Sequence, residues 1–204
     1  FKTSFEIMPN IKEEIQKRIL VLDGAMGTML QQYKFTEEDF LKIHKLNYQT
    51  FVEEIPQHTS NQPGMLVDAF HEKNLYFMCL NGDVLVGMVS VNADRPFSLE
   101  SKLEELDKYL PVNNLICEIR LLSIVKEYRK GKVIRGLLTV LGRYCLNKNY
   151  KIAIISGNVK EQRMYHKLGF VNFGPVVGTE GAKYQPMYLN LQDLAKRFDG
   201  FGEV

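Results

Sequence analysis

Three cations crowd one short stretch of this chain: Arg129, Lys130 and Lys132, with Gly131 between the lysines. Upstream, from Asn114 to Val125, apolar and polar residues alternate and the apolar ones then concentrate at Leu121, Leu122, Ile124 and Val125, the pattern of a buried strand. Downstream, Val133, Leu137, Val140, Leu141 and Tyr144 recur at helical spacing. The cations therefore sit where a strand hands over to a helix. A helix N-terminus offers free backbone N–H groups and the positive end of its dipole, so this loop can cradle a phosphate. An ordinary solvated connection would carry the same charges, and charge and spacing alone leave both readings open. Other chemistry-bearing types offer less. Cys79, Cys117 and Cys145 lie in strand- or helix-like runs without metal-ligand spacing, which predicts buried thiols rather than a disulfide framework. His44, His58, His71 and His166 show no paired spacing, so no metal site is expected.

The span Leu122–Arg129, with the glycine-bearing turn and helix after it, resembles the acyl-coenzyme A motif of the GCN5-related N-acetyltransferases (GNAT). In that family an Arg or Gln opens a six-residue loop whose amides hold the donor's pyrophosphate. The resemblance gives that place to Arg129 and the rest of the loop to Lys130, Gly131, Lys132, Val133 and Ile134. Lys132 and Ile134 stand where the family usually has glycine, and Gly131 and Gly136 are displaced, which implies a more regular backbone there. Autoinducer synthases and long-chain N-acyl amino acid synthases, branches with weakened glycine loops, take acyl chains from acyl carrier protein. The implied donor is thus acetyl-CoA or another acyl-CoA, with acyl carrier protein left open. Its pantetheine arm would pair with Leu122, Ser123 and Ile124 where the core strand parts from the next parallel strand.

A second stretch resembles the family's "NxxAxxLYxxxGF": Asn158, Tyr165 seven residues on, then Gly169-Phe170. Glu161 replaces the usual small Ala. The resemblance implies a donor-side role for Asn158 and makes Tyr165 the acid that protonates the departing thiolate; as a residue, Tyr165 also reads as an aromatic on the buried face of a short helix. Glu118, eleven residues before Arg129, matches the spacing at which some members place a general base. Ile116, Cys117 and Ile119 beside it would raise its pKa, which suits a proton acceptor. A buried carboxylate paired with a structural cation such as Arg120 fits the same residues.

Whatever the chemistry, a fold must position it. A chain of 204 residues, 45% hydrophobic and 25% charged, can bury one sizeable core. No apolar run approaches the ~18 residues a membrane span needs, and no cleavable leader is visible, so a cytoplasmic protein without membrane contact is expected. A net charge of +2 argues against an extended nucleic-acid surface. Residues 18–31 and 35–40 resemble the start of the homocysteine-binding barrel of cobalamin-dependent methionine synthase. A (β/α)₈ barrel takes roughly 250 residues, and that family's zinc-binding cysteines are absent, so residues 1–33 are expected to be an accessory helix-strand segment.

Residues 34–198 are expected to form the GNAT-like domain and residues 199–204 a tail. Thr36 and the acids after it predict a helix cap, and the helix through Phe40, Ile43, Leu46, Phe51 and Ile55 would line the acceptor side. Its Asn47–Glu54 stretch resembles "RYQVFVEE" of the acyl amino acid and autoinducer branches. Asn81-Gly82-Asp83 predicts a hairpin between strands 75–80 and 84–91. Ser98–Leu106 reads as a capped amphipathic helix, a lid over the acceptor or a plain connection. Lys151–Ser156, Val171–Phe173 and Pro186–Leu191 read as the remaining strands, and Gln192–Phe198 as a terminal helix. The expected fold is α+β (a three-layer α/β arrangement): a mixed, mostly antiparallel sheet flanked by helices, with a splay after the core strand. The implied activity is acyl transfer from a thioester to a small-molecule amine by direct attack, with homodimerisation left open. The alternative is a non-catalytic acyl-CoA- or protein-binding module.

Overall fold

Thr36 starts the first helix by a purely local device. Its hydroxyl accepts from the backbone N–H of Asp39, while the Asp39 carboxylate accepts from the Thr36 backbone, and Glu37, Glu38 and Asp39 place negative charge at the positive end of the dipole. The helix, α1 (Glu37–Tyr48), runs on into a π-type turn over Gln49–Glu54. The computed structural model describes residues 19–23, 30–32, 35–110, 115–129, 131–179 and 181–193. The remaining elements are β1 (Ile19–Asp23), β2 (Leu30–Gln32), β3 (Leu75–Asn81), β4 (Val84–Asn92), β5 (Ile116–Ile124), α2 (Lys132–Asn147), β6 (Ile152–Asn158), α3 (Gln162–Leu168), β7 (Val171–Asn172), β8 (Val177–Thr179) and β9 (Ala182–Asn190).

The strands form one mixed sheet in the order β2-β1-β3-β4-β5-β6-β9-β7, with β8 paired to β9. Among the described strands β1–β3 and β5–β6 run parallel and the other pairs are antiparallel. Hairpin, core strand and the strand near Lys151 stand in the expected order. Within residues 1–33, β1 and β2 add two strands beside β3; the expected helix there, most of the terminal helix expected at 192–198 and the tail expected at 199–204 lie outside the described residues. One face of the sheet buries Phe77, Val89, Cys117 and Ala153 under Leu137, Val140, Leu141 and Cys145 of α2. On the other face α1 packs Ile43 and Leu46 against Tyr76, Met78 and Met88. No helix of the described residues is long and apolar enough to cross a membrane.

The amphipathic helix expected at 98–106 does not form. Two 3₁₀ turns, Ser98–Ser101 and Leu106–Lys108, stand there instead, with Glu105 between them at φ 54°. Backbone donors of the segment are used elsewhere, because Ser98 and Leu99 give their N–H groups to Glu118. Arg95 also binds both Glu100 and Asp107, folding the segment back on itself. Its apolar residues are buried all the same: Leu99, Leu103, Leu106 and Leu110 cover Ile152, Ile154 and Phe173. The segment packs as part of the wall. The last strand is also longer than expected, starting at Ala182 and folding back on β8.

His44 on α1 is buried with its Nδ1 unpartnered, and its ring meets that of His71 edge-on at 4.9 Å. Burial, and secondarily His71, pull its pKa below the ordinary 6.5. The unfolded chain then takes up a proton before the native state does, so stability is lost as pH falls through and below about 6.5. Between about pH 7 and about pH 5 the wild type should lose more in melting temperature than His44→Gln. Equal losses in the two proteins would remove His44 from the acid sensitivity.

Candidate active site

Strands β5 and β6 pair for three residues only, Ile116–Ile152, Cys117–Ala153 and Glu118–Ile154. Beyond that rung each is committed to its other neighbour. β6 stays paired with β9 as far as Asn158–Tyr184, and β5 stays on β4 as far as Ile124–Gly87. The two strands diverge and leave a fork whose facing edges, Ile119–Ile124 and Ile155–Asn158, carry backbone amides without a strand between them. The expected splay is therefore present, and Leu122, Ser123, Ile124 and Asn158 lie along its edges.

A bulge sharpens the fork. Leu121 and Leu122 together oppose Val89, between the pairs Met88–Ser123 and Ser90–Arg120, and Leu121 takes φ 54°. The extra residue shifts the alternation, so Arg120 and Leu121 both face the α1 side. Ser123 follows on that side with its hydroxyl buried and unpartnered.

Glu118 occupies the last shared rung and is 1% exposed. Its carboxylate accepts from the Ser98 N–H (2.8 Å), the Ser98 hydroxyl (2.7 Å), the Leu99 N–H (3.0 Å) and Arg120 (3.1 Å). Arg120 also donates to Asp68 (2.6 Å) and lies 4.5 Å over the Phe70 ring. Asp68 is held in turn by the Phe70 N–H and by Asn74, which donates as well to the Tyr76 hydroxyl. Burial pushes Tyr76 up to about 12, so it remains a phenol, 3.0 Å from Nδ1 of His71. The pairing of Glu118 with Arg120 is the arrangement of a structural ion pair, and no lone pair of the carboxylate lacks a donor. None of Asp68, Asn74, Ser98 and Tyr76 was singled out from sequence; a loop Asp and a serine that meet a strand glutamate only in space leave no periodic signal.

Lys102 borders the same face. Its ammonium lies 4.7 Å over the ring of Tyr184, the β9 residue paired with Asn158. The surrounding protein lowers its pKa, through burial first and then through the like charge of Arg120, with Glu118 and Asp68 opposing.

On the opposite side lies the loop that leads into α2. Arg129 gives its Nε–H to the Ile124 carbonyl (2.9 Å) and pairs with Glu54 of the π-type turn, so its guanidinium ties strand end, loop and α1 together. Gly131 adopts φ 113°, ψ −114°, a backbone that glycine alone takes readily, and α2 begins at the next residue. Lys132, Val133 and Ile134 are thus the first helical turn, which explains how a lysine and an isoleucine replace glycines, and their N–H groups have no partner within the helix. Gly87 lets this turn settle on β4: a Cβ there would come within 2.8 Å of Val133. Lys130 lies outside the described residues.

Tyr165 projects from α3 onto β6, its ring where a Cβ on Gly157 would meet it at 3.1 Å. Burial raises its pKa, partly offset by the Asn158 backbone. The Asn158 side chain instead accepts from the Lys160 N–H and caps the following turn. Gly169 closes α3 at φ 98°, as the motif suggested.

Glu118→Gln would set an amide NH₂ against donors that need acceptors. It is expected to lower unfolding stability by about 1–3 kcal/mol, measured by chemical denaturation. An unchanged midpoint would show that the four bonds do not anchor the wall.

The acetyltransferase (GNAT) domain family matches residues 46–139. Among solved structures, the coenzyme A-dependent acyl-homoserine lactone synthase BjaI, with SAM and isopentyl-CoA, superposes with a TM-score of 0.63 at 24% identity, over 80% of this chain and 82% of that one. The acyl-homoserine lactone synthase LasI gives 0.62 at 18% identity, over 78% and 85%. FeeM, an N-acyl amino acid synthase from uncultured soil microbes, gives 0.61 at 18% identity, over 83% and 96%. Residues 46–139 are thus similar to the acetyltransferase (GNAT) domain, and the forked sheet has the fold of the acyl-homoserine lactone and N-acyl amino acid synthases.

Proposed function

We propose that this chain transfers an acyl group from a thioester donor, acyl-CoA or acyl carrier protein, to a small-molecule amine. The observation that carries this reading is the fork: two strand edges with free amides suit a donor arm that itself carries amides. The first turn of α2, with Lys132 at its mouth, suits the donor's phosphate, and BjaI, which shares the fold, was solved with isopentyl-CoA. Arg129 serves this site by holding the loop to Ile124 and Glu54 rather than by offering a free guanidinium.

In the reaction the amine nitrogen attacks the thioester carbonyl, the tetrahedral intermediate collapses, the C–S bond breaks, and the thiolate takes a proton. In this reading Tyr165 gives it, which its raised pKa supports, since such a phenol stays protonated until the thiolate forms. The amine's proton leaves to solvent or to a group of the α1-side cleft. Glu118 could take it only after losing one of its four donors, and we assign it the anchoring of Ser98 and Arg120.

Two measurements test this. Lys132→Glu puts a like charge at the phosphate position without touching the Arg129–Glu54 pair, and should weaken coenzyme A at least tenfold, about 1.4 kcal/mol, by calorimetry. Tyr165→Phe should lower kcat by about 10²–10⁴-fold with little change in donor affinity. A wild-type protein that binds coenzyme A but releases no thiol with any amine would favour the non-catalytic module.

A further inference from the structure

Two irregular segments border the α1 side of the fork, and they are held by different means. Residues 97–110 are fastened by apolar contact, with Phe97, Leu99, Leu103, Leu106 and Leu110 all buried. Residues 56–67, between the π-type turn and Asp68, are not. Among the described residues, none of the apolar side chains from Ile55 to Leu75 is buried, and Val67 is 58% exposed. The segment rests on α1 through hydrogen bonds instead. The Leu66 N–H donates to the His44 carbonyl (3.0 Å), the Asn47 side-chain amide to the Leu66 carbonyl (3.4 Å) and the Tyr48 hydroxyl to the Asn61 carbonyl (3.3 Å).

Polar contact of this kind holds weakly where it is incomplete. Nδ1 of His44 and Oδ1 of Asn47, on the same stretch of α1, are buried without a partner. Each carries a desolvation cost while the segment rests on α1, and water removes that cost once the segment lifts, which brings the two arrangements close in free energy. The segment's own bonds do not oppose the movement. Asn61 brackets Met65 with both ends of its side-chain amide, donating to the Met65 carbonyl (2.8 Å) and accepting from the Met65 N–H (3.3 Å), and Gly64 turns the chain between them at φ 60°. The turn over residues 61–65 therefore keeps its shape when it moves. Its two ends are fixed: the Gln57 N–H donates to the Phe51 carbonyl of the π-type turn, and Asp68 is bound to Arg120, two residues beyond the Glu118 rung.

We infer that residues 56–67 are a lid, which lifts from α1 between the π-type turn and Asp68 and admits the amine acceptor to the α1 side of the fork. That the acceptor is what enters rests on the acyltransfer reading; the lifting itself does not. The segment runs from α1 to Arg120 on the β5 edge of the fork, so it crosses the α1-side approach to that edge. The leucine-packed segment at 97–110 supplies the opposite wall.

The test uses the full chain. By amide hydrogen exchange, the Leu66 N–H should exchange at least about a hundredfold faster than the helical N–H of Leu46, although both are hydrogen-bonded. Tyr48→Phe removes one of the bonds to α1 and should speed Leu66 exchange by at least about threefold, with Leu46 unchanged. Access is read on Asn47→Cys with 2-aminoethyl methanethiosulfonate, a thiol reagent that itself carries an amine. Asn47 is 0% exposed, yet a thiol at that position should be modified at least about tenfold faster than the buried thiols of Cys79, Cys117 and Cys145. Leu66 exchange as slow as that of Leu46, an unchanged Leu66 rate in Tyr48→Phe, or a thiol at position 47 no more reactive than the native three overturns the inference. Should Asn47→Cys fail to fold, exchange in the wild type and in Tyr48→Phe decides alone. Coenzyme A titrated into the wild type by calorimetry separates the two readings. If coenzyme A binds and Leu66 does not open, the lid fails and acyl transfer stands; if Leu66 opens and coenzyme A does not bind, the donor reading fails and the movement stands.

Discussion

The parting of β5 from β6 after the Glu118–Ile154 rung is the constraint on which the rest depends. Parallel strands that share a sheet normally continue together, because each unpaired backbone group left in the interior carries a desolvation penalty. Here the divergence is tolerated because each strand keeps its other ladder, β5 with β4 and β6 with β9. Glu118 stands at the branch point and accepts from groups on both sides of the wall, so the place where the sheet opens is also the place most firmly tied.

From that branch point the two faces take different tasks. On the α2 side, Gly131 and Gly87 bring a helix N-terminus close to the end of β5, and Arg129 locks the approach by bonding Ile124 and Glu54. The same Glu54 belongs to the π-type turn that continues α1. On the α1 side, the ion pairs around Arg120 join the loop at Asp68 to β5 and, through Glu118, to the segment after Ser98. The loop before α2 and the α1-side wall are therefore linked through a few charged contacts.

Burying this many charges is unfavourable unless every partner is in place. Arg120 has one nitrogen on Asp68 and another on Glu118, and the carboxylates fill their other positions with N–H and O–H donors. Three buried atoms nearby lack a partner: Nε of Arg120 and Oδ1 of Asn74 within the network, and the Ser123 hydroxyl at the fork.

Much of this was legible in the chain itself. Local signals fixed what depends on neighbours in sequence: the Thr36 cap, the hairpin at Gly82, the strand before Arg129, the helix after Gly131 and the glycine that ends α3. Alternation and helical spacing also identified which residues face the core. Contacts between distant segments decided the remainder. The spacing of leucines from 99 to 110 is the same for a helix and for a folded-back segment, and only Glu118's claim on two backbone N–H groups selects the latter. Arg129 reads as a free phosphate ligand until Glu54, 75 residues away, meets it. Asp68 and Lys102 are ordinary polar residues in sequence; their surroundings are assembled from strands and loops that come together only when the sheet forms, because charge pairing in space carries no period along the chain.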